Sequence, residues 1–363
     1  MTSTQPDPFA HTYAEARTKF LAAAAGTRIE SHPEPLRGLE LETLAMDVAR
    51  VGADDADALL IVSSGCHGVE GFCGSGAQVA LLRDEALRTK ARLAGVALLF
   101  IHALNPWGFS FGRRVTHEGV DLNRNFVDFR RPLPGNPGYD QLAANLLPEH
   151  WPPTATNELA LMAYAASYGM PALQQAISGG QYKHPDGLFH GGTAPTWAQQ
   201  TLRMVLRQHG ATCRQLGWID LHSGLGASGT GERIFACRDD DSAKHRAKAW
   251  WGNRITFTQD GSSTSSDLHG NLWHAAYDEC PQAAYAGITL EFGTQPTEVV
   301  LAALRYDHWA ARRRQRFDEH VTAARARMRG AFFTDTPEWK KAVLQQTREA
   351  VAQAVDGIAG WRS

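Results

Sequence analysis

The chain has 363 residues, 43% of them hydrophobic and 20% charged, with 36 basic against 38 acidic side chains and a formal net charge of -2. That composition supplies a sizeable core and excludes a disordered chain, and the balanced charge offers no positive field to hold a polyanion, so nucleic acid is not expected as a partner. The length suits either two average domains or one large α/β enzyme domain.

The amino-terminal stretch MTSTQPDPFAHTYAEARTKF lacks a basic start followed by an apolar run, so it does not read as a secretory signal and a cytoplasmic location is expected. No apolar stretch approaches the roughly 18 residues needed to span a bilayer, and no membrane partner is expected. Cys66, Cys73, Cys213, Cys237 and Cys280 are odd in number and scattered, which predicts free thiols.

The first buried strand is ALLIVSSG, ending at Gly65, and it runs straight into CHGVEGFCGSG with His67 and Glu70 three apart. A helix is predicted from Gly76 to Leu93, then a second strand, VALLFIHALN, ending at Asn105, then NPWGFSFGRR and GVDLNRNF. The proline-rich stretch from Arg131 to Pro153 and the segment GGQYKHPDGLFHGG, Gly179 to Gly192, are too polar and broken for regular structure. Both read as long loops, the second placed to lie over a binding pocket. Helical patterning returns from Asn157 to Gly169, from Pro195 to Gln208 and from Trp309 to Arg329, the last carrying the basic run ARRRQRF, read as a solvated helix face. Two further strands, LGWIDLHSG ending at Gly224 and GITLEFGT ending at Thr294, complete an alternation that predicts an α/β class with a largely parallel sheet. No linker separates two domains; a catalytic domain over residues 1–310 with a helical extension over 311–363 is expected.

All four strand ends carry reactive side chains, and in open α/β sheets ligands bind just beyond the carboxyl ends of the strands. Two imidazoles and a carboxylate, His67, Glu70 and His222, match the three protein ligands of a catalytic Zn²⁺ whose fourth position is left for water. Glu291 is then the candidate base for that water. Asp220 shares a strand face with His222 and can orient its ring. GLGASG, Gly224 to Gly229, is a formal dinucleotide fingerprint, but no amphipathic helix follows it, and no GxSxG elbow supports a serine hydrolase.

The order HxxE at His67 and Glu70, GVDLNRNF at Gly119 to Phe126, a strand ending at His222 and a strand ending at Glu291 resembles the zinc carboxypeptidase family of the carboxypeptidase A type. SSGCHGVEGFCGS, HALNPWGF and VDLNRNF narrow that to a poorly characterised bacterial branch. The resemblance implies a mixed, mainly parallel sheet of about eight strands between helices, holding one zinc. It implies His67, Glu70 and His222 as metal ligands and Glu291 as general base. Arg114 would polarise the scissile carbonyl, and Asn123 with Arg124 would grip a substrate carboxylate. The implied activity is exo-acting cleavage of an amide bond beside a free carboxylate, in a small peptide or an N-acyl amino acid. The alternatives are an amidohydrolase similar to aspartoacylase and succinylglutamate desuccinylase, and a non-catalytic binding module on the same fold. No motif places the family's substrate-capping tyrosine at Tyr277 or Tyr285.

Overall fold

The computed structural model describes residues 6–312 and 318–361. Its centre is an eight-stranded sheet in the order β1-β2-β4-β3-β5-β8-β6-β7. The strands are β1 (Arg28–Arg37), β2 (Thr43–Val51), β3 (Ala58–Ser64), β4 (Val96–His102), β5 (Gln215–Ser223), β6 (Gly231–Phe235), β7 (Ile255–Thr256) and β8 (Ala284–Phe292). The central four, β4-β3-β5-β8, are mutually parallel, whereas β1/β2, β2/β4 and β6/β8 pair antiparallel. Every residue of β3 and β4 is buried, which is why both read as unbroken apolar runs rather than alternating ones.

Thirteen helices among the described residues pack around the sheet: α1 (Tyr13–Ala23), α2 (Gly71–Arg83), α3 (Glu85–Leu93), α4 (Pro106–Phe111), α5 (Pro137–Leu146), α6 (Ala155–Tyr168), α7 (Met170–Ser178), α8 (Trp197–Gly210), α9 (Asp241–Trp251), α10 (His274–Glu279), α11 (Thr297–Ala311), α12 (Glu319–Phe332) and α13 (Pro337–Gly360). α13 lies along β5 and against α2 and α9, burying Trp339, Val343, Thr347, Ala350, Val351, Ala354, Val355 and Ile358, a stripe that recurs every three or four residues. None of the described helices is long and apolar enough to cross a membrane. The five cysteines are all free and buried.

Three sequence-based boundaries change. The helix expected from Gly76 to Leu93 is two helices, because Asp84 leaves the helical backbone and its carboxylate caps Leu87 N–H to start α3. The stretch from Arg131 to Pro153 contains α5, started by Asn136 as cap and Pro137 at the first helical position. A single helix from Trp309 to Arg329 is replaced by the end of α11 and the start of α12; most of the basic run between them, and its reading as a solvated face, lies outside the described residues.

The chain leaves β3 through α2 and α3 to β4 on one side, while β5 lies on the other side of β3. That reversal opens a crevice at the carboxyl ends of β3 and β5, where α/β sheets take their ligands.

Candidate metal centre

β3 ends at Ser64 and a short 3-10 turn, Gly68–Glu70, follows His67 and turns the chain into α2. This brings His67 and Glu70 over the end of β5. In the parallel pairing of β5 and β8, His222 sits opposite Glu291, so both point from the same face. The ligand-capable atoms of His67, Glu70 and His222 all lie within 4.8 Å of one another.

The Glu70 carboxylate is the hub. One oxygen lies 2.8 Å from His67 Nδ1, and the other lies 3.0 Å from His222 Nδ1 and accepts the Ser223 N–H at 3.1 Å. On the far side of each ring stands a further carboxylate: Asp121 faces His67 Nε2 at 3.1 Å, and Asp220 contacts His222 Nε2. With the Nε2 protons given to Asp121 and Asp220, the Nδ1 lone pairs of both rings converge on the space beside Glu70. This is how metal-bound histidines are oriented, and the donor set fits a divalent ion of the zinc type. Cys66, Asp220 and His222 form a second close group, but there Asp220 is already engaged with His222 and with Ser63 Oγ at 2.5 Å.

The charges follow from this packing. Burial raises the Glu70 carboxyl, yet the two imidazoles facing it outweigh that and carry it below its ordinary range. Asp121 is likewise driven low against its own burial, by Arg114, Arg124 and His67. Burial would discharge His222, but Asp220 and Glu70 overcome it and hold the ring protonated well above its ordinary range. At Glu291 the balance falls the other way: His222, Arg114 and the Leu225 N–H favour the charged form but are outweighed. Burial and the neighbouring Glu70 charge push it up to about 8, and its carboxylate accepts the Leu225 N–H at 3.0 Å.

Arg114 donates from Nε to Asp121 at 2.9 Å and reaches Glu70 at 3.4 Å from Nη1. Arg124 donates to the carbonyls of Asn123 at 3.0 Å and Ser178 at 2.6 Å, while its Nε is buried without a partner among the described residues. Asn123 accepts the Leu272 N–H on its amide oxygen at 2.9 Å, leaving its NH₂ group to meet a ligand. The seven residues expected as ligands, base and substrate contacts, His67, Glu70, Arg114, Asn123, Arg124, His222 and Glu291, line one cavity of 810 Å³, within the range of small-molecule sites.

Sequence reasoning gave Asp121 no role, although it stands inside GVDLNRNF and links His67 to Arg114. GLGASG is followed by β6, not a helix, and its Leu225 N–H serves Glu291 instead of a phosphate. Tyr285 is buried with its hydroxyl on Ala236 O, and Tyr277 accepts the Arg238 N–H; neither lines the cavity.

A family model described as "Protein of unknown function (DUF2817)" matches residues 9–346. The chain belongs to that family. No curated protein matches it. Among solved structures, bovine thrombin-activatable fibrinolysis inhibitor, in complex with tick carboxypeptidase inhibitor, is 12% identical over 98% of this chain and 99% of that chain, with a TM-score of 0.51. A further structure of thrombin-activatable fibrinolysis inhibitor is 13% identical over 99% of this chain and 78% of the other, again at 0.51. Carboxypeptidase A from Helicoverpa armigera is 13% identical over 88% and 74% of the two chains, at 0.45. The likenesses at 0.51, with the eight-stranded mixed sheet, show that this chain has the carboxypeptidase-like α/β fold, as its motif order implied.

Proposed function

We propose that this chain is a zinc-dependent, exo-acting hydrolase that cleaves an amide bond next to a free carboxylate. The observation that carries the reading is the convergence of His67, Glu70 and His222 from two strand ends, with Glu291 opposite His222 and two buried arginines in the same cavity. A divalent ion held by His67, Glu70 and His222 supplies Lewis-acid polarisation and a water that ionises near neutral pH.

Glu291 takes a proton from the attacking water and returns it to the leaving nitrogen. Burial and the Glu70 charge raise its proton affinity, and both steps need a group that titrates near the working pH. Arg114, held by Asp121, presents its guanidinium to the oxygen on which negative charge develops. Arg124 has three of its five N–H groups left after its two carbonyl bonds, enough to fork onto a carboxylate beside the Asn123 NH₂ group. That pair places the scissile amide at the end of its substrate. The five buried free thiols suit a reducing, cytoplasmic setting.

The test is hydrolysis of dipeptides, N-acetyl and N-succinyl amino acids and their carboxamide analogues, by chain stripped with chelator and then reloaded with zinc. Turnover should require about one metal per chain and a free carboxylate, and Glu291→Gln should lose on the order of 100-fold or more. The panel also separates a peptidase from an N-acyl amino acid amidohydrolase, which the same residues serve. A loaded chain that turns over none of these, or an E291Q variant within tenfold of the parent, refutes the reading.

A further inference from the structure

The loop from Gly179 to Gly192 contributes one side chain to the cavity whose placement the hydrolase reading does not use. Phe189 is buried, and its ring lies 5.1 Å from the Arg114 guanidinium carbon and 5.6 Å from that of Arg124. Its backbone has φ of +55°, a conformation that a bulky aromatic residue adopts only when its surroundings hold it there. Those surroundings tie the loop to the DLNRN motif itself. The carbonyl next to it, His190 O, accepts the Asp121 N–H at 2.8 Å and Gly191 O accepts from the Asn125 amide at 2.8 Å, while within the loop Phe189 O accepts the Gln181 N–H at 3.2 Å.

We propose that Phe189 is the positioning residue that sets Arg114 and Arg124 relative to each other; the proposal rests on the hydrolase reading for the roles of the two arginines. Two buried guanidinium groups repel, and Arg124 loses proton affinity through burial and through the Arg114 charge. Asp121 already serves Arg114 and His67. A carboxylate spacer between the arginines would steady them but would also occupy the donors meant for a substrate. An aromatic face attracts both cations through its quadrupole and offers no acceptor that competes with a carboxylate. One ring thus fixes the distance between the group that holds the substrate's end and the group that meets the scissile carbonyl.

The experiment compares wild type, Phe189→Leu and Phe189→Tyr in two ways. In zinc-loaded chain, kcat and KM are measured on the best carboxylate substrate and its carboxamide. In the same proteins, the arginine Nε–Hε signals are followed by NMR and assigned with R114K and R124K. F189L should raise KM and lower kcat together, reducing kcat/KM about tenfold as both cation–ring contacts are lost, and should shrink the preference for carboxylate over carboxamide. Its Arg114 and Arg124 signals should leave the ring-shifted positions of the wild type, while F189Y keeps both the signals and the kinetics near wild type. If no substrate is turned over by any of the three, the hydrolase reading fails and the NMR comparison still decides the arrangement. F189L signals unchanged from wild type, F189L kinetics within twofold of wild type, or equal losses in F189L and F189Y would overturn the proposal.

Discussion

Asp121→Asn is the substitution whose consequence can be worked out most fully, because one buried carboxylate holds three partners. Its Oδ1 accepts from His67 Nε2 at 3.1 Å and from the Asn123 N–H at 3.0 Å, and its Oδ2 accepts from Arg114 Nε at 2.9 Å. Asparagine has the same shape and can keep the Oδ1 bonds, so the tautomer and direction of the His67 ring survive. Its NH₂ group replaces Oδ2 and meets the Arg114 N–H, donor against donor. Arg114 then has Glu70, already 3.4 Å away, as its nearest carboxylate, and draws it from the ligand position. His67 also loses the charge that made it a better ligand. Loss of a ligand's supporting carboxylate lowers metal affinity by about 10- to 100-fold, and the diverted Glu70 puts D121N near the upper end, about 2.7 kcal/mol. Competition with a chromophoric chelator measures this in one titration per protein, with circular dichroism confirming the fold. D121N binding zinc within threefold of the parent would falsify the reasoning that Asp121 supports the site.

Metal binding should also be proton-linked. Without the ion, His222 carries its extra proton and Glu291, raised to about 8, is mostly protonated at pH 7. Coordination takes the His222 Nδ1 lone pair, and the added positive charge lowers Glu291. Both raised groups therefore favour the metal-free state at low pH, and apparent affinity should rise with pH through the region around 8 where Glu291 titrates, with roughly two protons released per ion at pH 7 and about one in E291Q. Calorimetry in buffers of different ionisation enthalpy counts them, and fewer than one in the parent contradicts the assignment. Gly270→Ala should destabilise the chain by about 1–3 kcal/mol in urea and raise KM, because φ is +74° and an added methyl would stand 2.3 Å from the Arg124 carbonyl oxygen. A wild-type midpoint and KM would show that the backbone of the motif is not held there. Trp339→Phe keeps the packing of α13 but removes the Nε1 bond to Gly293 O at 2.8 Å, just after the strand bearing Glu291. Its expected loss is about 1 kcal/mol of stability with kcat reduced more than KM, and the reverse kinetic pattern would count against a link between α13 and Glu291.

The parts of the site that could be read from the chain are those whose position depends on one strand each. β3, β4, β5 and β8 are buried on both faces, so their apolar runs stand out, and the residues just past their ends must converge because parallel strands end together. The flanking strands gave no such signal. β1, RIESHPEPLR, is mostly exposed and carries two prolines at a sheet edge, β2 is interrupted by Asp47 and Arg50, and β7 has two residues. Local capping chemistry at Asp84 and at Asn136–Pro137 was present in the sequence, and a closer reading of it would have divided the first helix and found α5.

Asp121 and Phe189 could not be read in the same way, for a reason that lies in the fold. Neither belongs to a sheet strand, and each acquires a role only when the loop that carries Phe189, about sixty residues beyond the DLNRN motif, closes on that motif through His190 O, Gly191 O and Tyr182 Oη. An isolated Asp-Leu-Asn-Arg-Asn reads as a turn with one useful arginine. Enclosed by that loop, the same five residues orient the His67 imidazole, bring two cations to one cavity and leave the Arg124 Nε–H without a partner among the described residues. On the proposed reading the strand ends would specify where an ion is held, while the long segment between Asn125 and His222 would decide what is presented to it, so changes in that segment should alter substrate choice more than changes elsewhere around the proposed metal ligands.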